Sequence, residues 1–169
     1  MKIFIFGIII GCLIPIFIGL IFLFSGGIPV ATSGSALPFE RIIAKIAIRE
    51  AIGDSESKKS PIEFDEPSLL GGAKIYLTNC AICHGNINGS TSVIAKGLFP
   101  KPPQLFKPNE GVTDDPIGET YWKVKNGIRL TGMPGFGNSL SDIQLWQVSE
   151  LLLNAEKLPA KVHDSLLNR

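Results

Sequence analysis

From Ile3 to Phe24 the chain reads IFIFGIIIGCLIPIFIGLIFLF without a single charge. As a helix rising about 1.5 Å per residue this stretch covers about 33 Å, which matches the roughly 30 Å hydrocarbon core of a bilayer. A secretory signal carries a shorter apolar stretch, about 7 to 15 residues, before a small-residue cleavage site. Val30 to Ala36 offers small residues, but the length of the apolar run points to an uncleaved transmembrane anchor over residues 1–25. Pro15 falls mid-span, where a helix in lipid tolerates it with a kink. Cys12 sits inside the run; bacterial lipoproteins attach lipid at a cysteine in a similar context, but here apolar residues continue past it, and a small hydrophobic residue in a membrane helix is the plainer reading. Lys2 precedes the span and no Lys or Arg follows until Arg41, so the N-terminus stays cytoplasmic and the rest lies outside the cytoplasmic membrane.

The remainder divides by composition. Residues 26–67 form a tether that opens on a Gly-, Ser- and Pro-rich stretch and closes on the polar GDSESKKSPIEFDEP. Between these lies an amphipathic helix near residues 38–52, where Ile42, Ile43, Ile46 and Ile48 run beside Arg41, Lys45 and Arg49. Its apolar side suits a membrane surface, another subunit or its own globular domain. A folded domain is expected over 68–159 and a polar tail over 160–169, with His163 solvated in the tail. The formal net charge of +1, with no basic run, excludes nucleic acid as a partner suggested by charge.

Inside the domain the periods are helical. SLLGGAKIYLTN reads as a short helix with a side of almost no bulk at Gly71, Gly72 and Ala73. Gly118 to Gly127 reads as another, stopped at Asn126-Gly127. A last helix starts at a capping box, Ser141 to Gln144, and carries Ile143, Trp146, Val148, Leu151 and Leu153 toward Pro159. Residues 85–110 are mostly loop, and no alternating run argues for a strand, so the domain is all-α.

The chemistry concentrates at Cys80-Ala81-Ile82-Cys83-His84. Two thiols three positions apart on one helical turn can each add across a vinyl group of one haem, and the histidine after them is then held beneath the ring. The rivals are weaker. A structural zinc site needs four protein ligands, and only Cys80, Cys83, His84 and the distant His163 are on offer outside Cys12. A thioredoxin-like pair wants a βαβ context, and a plain disulfide leaves the histidine unexplained. One covalent haem c is therefore the expected cofactor, its iron ligated by His84. The chain has two methionines, Met1 and Met133. A thioether is an established partner of histidine in closing the sixth position, so Met133, in NGIRLTGMPGFG, is the candidate second axial ligand; taken alone it would be core filler.

Over residues 68–159 these features resemble a class I cytochrome c: Gly72, Ala73 and Tyr76 before CAICHG, the Pro-rich FPKPPQL, the GMPGFG loop and SDIQLWQVSELL. The loop and last helix are similar to those of membrane-tethered bacterial cytochromes that serve dehydrogenases or oxidases. The resemblance implies that the first and last helices cross with Gly71 or Gly72 against Trp146; the family often has a second aromatic where this chain has Leu151. It also implies a proline carbonyl, from Pro102 or Pro103, on the ligand histidine. Tyr121 and Trp122 could reach a haem propionate, with helix packing as their more ordinary role.

The expected function is electron transfer by one haem c with His/Met ligation, outside the cytoplasmic membrane, between a dehydrogenase or respiratory complex and an oxidase. The chain is an electron carrier rather than an enzyme, with redox proteins as partners and no small-molecule substrate. Its haem pocket is expected to draw on Tyr76, Ile94, Leu98, Leu105, Ile128 and Phe136. Lys96, Lys101 and Lys107, with Lys123, Lys125 and Arg129, could steer an acidic partner, solvated lysines being the plainer reading. A sensor or enzyme subunit with an open sixth position, and a structural subunit of a respiratory complex, are the alternatives.

Overall fold

The computed structural model describes residues 1–107 and 110–167, all helix, turn or loop with no strand among them. The chain divides into two units, Met1–Ile43 and Ala44–Arg169. The first holds helix α1, Lys2–Phe24, which runs through Pro15 and is long and apolar enough to cross a membrane. Its end is closed by the Ser25 N–H, which donates to the Ile21 carbonyl at 2.8 Å. Helix α2, Glu40–Ile52, starts in the first unit and finishes in the second.

In the second unit α2 buries Ile52, while Ile46 stays exposed, so this end of the amphipathic helix packs on its own domain. The polar segment after it is not free linker throughout. A 3-10 turn, Gly53–Ser57, lies against helix α6, Ile117–Asn126, where a Cβ on Gly118 would stand 2.1 Å from the Ser55 carbonyl oxygen. Only a residue without a side chain fits there.

Helix α3, Glu66–Ile75, begins where the Asp65 carboxylate accepts the Ser68 N–H at 2.8 Å, and that bond holds the carboxyl below its ordinary pKa. It continues into a π turn, Tyr76–Cys80, and then helix α4, Ala81–His84, so one nearly continuous rod carries the small-residue side and the cysteine motif. Gly85 ends the rod in the left-handed region at φ 78°. Beyond it the expected loop contains one short helix, α5, Val93–Gly97, capped by Ser92.

Helix α7, Asp142–Leu153, opens with both halves of the capping box in place: the Ser141 N–H donates to Gln144 Oε1 at 2.9 Å and the Gln144 N–H to Ser141 Oγ at 3.3 Å. Its inner face is Leu145, Trp146, Val148, Leu151 and Leu152; Ile143, expected in the stripe, is exposed. The crossing with α3 is tight. A Cβ on Gly72 would meet the Gln147 carbonyl oxygen at 2.3 Å and Leu151 Cβ at 3.1 Å. The small residues therefore meet Gln147 and Leu151, not Trp146, and fully buried Leu151 occupies the contact. Trp146 instead stacks on Tyr121, with ring centroids 4.0 Å apart.

Residues 160–169 correct the expected tail. Through Leu167 they form helix α8, Ala160–Leu167, which buries Val162 and Leu166 in the same core as Leu69, Ala73 and Tyr76. Two apolar residues four apart supply enough of a face to dock a short helix that is otherwise polar. Lys161 also reaches Glu66 of α3 at 2.8 Å, and His163 is exposed on the outer side of α8.

Two consequences can be measured. Leu166→Ala removes a fully buried side chain and should cost about 2–5 kcal/mol in urea unfolding. Tyr76 is 0 % exposed, its hydroxyl donates to the Gly85 carbonyl at 2.6 Å, and burial pushes its pKa well above the usual value. A phenol whose folded pKa is raised contributes stability that is complete below about pH 10, its unfolded value, and is lost as pH rises beyond it. Tyr76→Phe should thus cost about 1–3 kcal/mol at neutral pH and show a shallower alkaline loss of stability than the parent.

Candidate haem site

Cys80, Cys83, His84 and Met133 all line one cavity. Its empty volume, mouth included, is about 780 Å³, within the range of cofactor pockets. The motif supplies one part of the wall. Leu98, Leu105 and the Pro-rich segment supply a second, and Val124, Ile128, Pro134 and Phe136 a third, with Leu152 of α7 among them.

The rod of α3, π turn and α4 delivers the motif. Inside it the Asn79 amide donates to the Ile75 carbonyl at 3.1 Å, and Thr78 to that of Lys74 at 2.8 Å. Cys80 and Cys83 are both free thiols, so no disulfide spans them. Burial, with Cys83 adding to it, pushes the Cys80 thiol up to about 12. His84 Nδ1 lies 2.9 Å from the Pro103 carbonyl oxygen, which requires Nδ1 to carry the proton and leaves Nε2 as the ligating nitrogen. Of the two prolines considered, Pro103 makes this contact. Burial holds the imidazole below its ordinary pKa, the Pro103 carbonyl opposing the shift, and the neutral form is the one that binds a metal.

Met133 arrives on a loop fastened mainly by backbone hydrogen bonds. The Ile128 N–H donates to the Met133 carbonyl at 3.2 Å, the Phe136 N–H to that of Val124 at 3.0 Å, and the Gly137 N–H to that of Lys125 at 2.9 Å. The Met133 N–H itself donates to Thr131 Oγ1 at 3.1 Å. Gly127, at φ 69°, both ends α6 and admits the loop, since a Cβ there would stand 2.5 Å from the Gly135 nitrogen.

Several expected neighbours fall elsewhere. Leu98, Leu105, Ile128 and Phe136 line the cavity, but Tyr76 packs edge-on against Phe106 in the core and Ile94 is half exposed on α5. Tyr121 and Trp122 are off the wall; the Tyr121 hydroxyl donates to Asp142 and accepts from Lys125 Nζ at 2.8 Å. The lysines also sort themselves. Lys107 pairs with Glu110, Lys123 with Asp115 at 3.4 Å and Glu119 at 2.5 Å, and Lys125 with Asp142 at 3.3 Å. Lys96, Lys101 and Arg129 have no such partner among the described residues, and Lys101 lines the cavity. In the sequence Lys101 was only one of six cations, and its place between Pro100 and Pro102 was the sole local sign of a constrained position.

This wall suits haem c. It offers two free thiols at the attachment spacing, an imidazole with its outer nitrogen already held, a thioether and a mostly apolar surface. A structural metal ion has no comparable cradle: no group of three or more His, Cys, Asp or Glu among the described residues is placed to hold one.

Residues 67–152 match the family model described as cytochrome c oxidase, cbb3-type, subunit III. No curated protein matches the chain. A solved chain of the reducing HAO-like protein complex of Kuenenia stuttgartiensis is similar at a TM-score of 0.47 and 23% identity, over 56% of this chain and 46% of that one. This chain thus spans less than half the length of the solved chain. The family match covers half of the sequence and falls on the helices and loops that build the cavity. The chain belongs to this family of c-type cytochromes: it carries covalently bound haem c with its iron, and its chemistry is haem-based electron transfer.

Proposed function

We propose that Cys80 and Cys83 form the thioether links to haem c, that His84 and Met133 are the axial ligands, and that α1 anchors the haem domain on the outer face of the cytoplasmic membrane. The observation that carries this reading is the convergence of all four side chains on one cavity, with His84 Nδ1 already engaged by Pro103. When bound, haem c supplies a one-electron ferric/ferrous couple, tuned by its axial ligands and surroundings.

The protein's part is positional and dielectric. Pro103 fixes the His84 tautomer and strengthens it as a donor. Backbone ties from Val124, Lys125 and Ile128, with the Thr131 hydroxyl on the Met133 N–H, hold Met133. Leu98, Leu105, Val124, Phe136 and Leu152 exclude water, and a low dielectric around the iron favours its less charged, reduced form.

Family and topology support a reading of partners and location. The matched family is described by an oxidase, which supports an oxidase as acceptor, with a dehydrogenase or respiratory complex as donor. An apolar helix near the N-terminus, followed by Arg41 as the next cation after Lys2, supports a single-pass anchor with the domain outside.

Expression with a haem-attachment system, followed by acid denaturation and organic extraction, tests the links. Haem should stay with the polypeptide, and the double variant Cys80→Ala/Cys83→Ala should release all of it. Met133→Ala should keep the haem but make the ferrous spectrum respond to carbon monoxide and lower the midpoint potential; an unchanged response would remove Met133 as ligand. Gly127→Val, which touches no ligand, should open the iron to carbon monoxide in part, because its side chain forces the Met133 loop away from α6.

A further inference from the structure

Few polar side chains face the cavity, and all but one are engaged. Asn79 donates to the Ile75 carbonyl, Thr131 donates its hydroxyl to the Ile128 carbonyl at 2.6 Å, and His84 is held by Pro103. Lys101 is the exception. It is the sole Lys, Arg, Asp or Glu on the wall among the described residues, and no hydrogen bond or ion pair engages it among them. Its neighbours Pro100 and Pro102 each lock their own φ, and Pro102 also disfavours helical backbone at Lys101, so few backbone states are open to this position. The stem therefore starts from a constrained stretch of backbone at the cavity wall.

Haem c brings two propionate carboxylates, and a carboxylate beside an apolar wall is costly unless a cation or donor meets it. Tyr121 and Trp122 do not line the cavity, and the Tyr121 hydroxyl is already engaged by Asp142 and Lys125. We propose that Lys101 is the ion-pair partner of a haem propionate and that its charge raises the reduction potential. This assignment rests on the haem-attachment reading given above. The sign follows from charge: a cation near the haem disfavours the ferric form, which carries one more positive charge than the ferrous. Removing it lowers the potential for as long as the propionate stays ionised. A carboxylate that has lost its cation takes up a proton more readily, and that proton restores the missing charge. The deficit is therefore largest at alkaline pH and shrinks as pH falls.

The test is a redox titration of the full-length, haem-loaded chain in detergent, across pH, for wild type, Lys101→Gln, Lys101→Arg and Lys96→Gln. Covalent haem content is measured first in each. Absence of covalent haem in the wild type would count against the attachment reading itself, whereas the present inference is read from the potential at full haem content. At alkaline pH, poised where wild type is half reduced, Lys101→Gln should show an about threefold lower ferrous-to-ferric ratio, roughly 28 mV for one electron, typical of a partly exposed ion pair. Lys101→Arg should titrate near wild type, and Lys96→Gln, on α5 away from the wall, should not move. Identical titrations for Lys101→Gln and Lys96→Gln at every pH would overturn the proposal. Should Lys101→Gln fail to fold, the ferric-minus-ferrous infrared spectrum decides. Its carboxylate bands should shift in Lys101→Arg and stay put in Lys96→Arg, and unmoved bands in both would sink the assignment.

Discussion

The close approach of α3 to α7 at Gly72 is the constraint from which the haem domain is built. With the Gln147 backbone where a Cβ would otherwise stand, the two helices are near enough for Leu151 to fill the contact and for Leu152, one residue on, to reach the cavity. The same approach sets where the end of α3 lies, and the π turn and α4 follow from it. Tyr76 then locks that end by donating to Gly85 across the motif. Helix α8 closes the other side of α3 with Val162 and Leu166, so the rod that carries the cysteines is packed on two faces by the chain itself.

The opposite wall depends on backbone. Gly127 permits the chain to leave α6 and return alongside it, and the hydrogen bonds to Val124 and Lys125 make the loop an annex of that helix. Because α6 is itself held by the Tyr121–Trp146 stack on α7, the thioether side and the thiol side of the cavity are both referred to one helix. Rigidity of this kind lowers the structural change that accompanies gain or loss of an electron.

Much of this was legible in the amino-acid sequence where local rules are strong. The Ser141–Gln144 box and the Asn126-Gly127 stop fall where expected, because capping is decided within a few residues. The four residues on the cavity wall could be named because cysteine, histidine and methionine are scarce in this chain. What escaped was long-range. Val162 and Leu166 look like isolated apolar residues in a polar tail until α3 is placed beside them, and Tyr76 looks like a cavity aromatic until Phe106 and Gly85 claim it. Pro102 and Pro103 are equivalent in sequence, and only the fold of the intervening loop selects between their carbonyls. Tyr121 was drawn away by Asp142 and Lys125, partners twenty-one and four positions distant.

The π turn at Tyr76–Cys80 separates two registers. A π turn is an α-helix with one residue inserted, and each residue in a helix turns the chain by about 100°. Upstream of it Leu69, Gly72 and Ala73 are phased to the core, as is its first residue, Tyr76; downstream Cys83 and His84 are phased to the cavity, as is its last residue, Cys80. The insertion works as a phase adapter between a packing frame and a cofactor frame. Deletion of a single residue between Tyr76 and Cys80 would rotate the thiols by about a quarter-turn while the core above stayed folded.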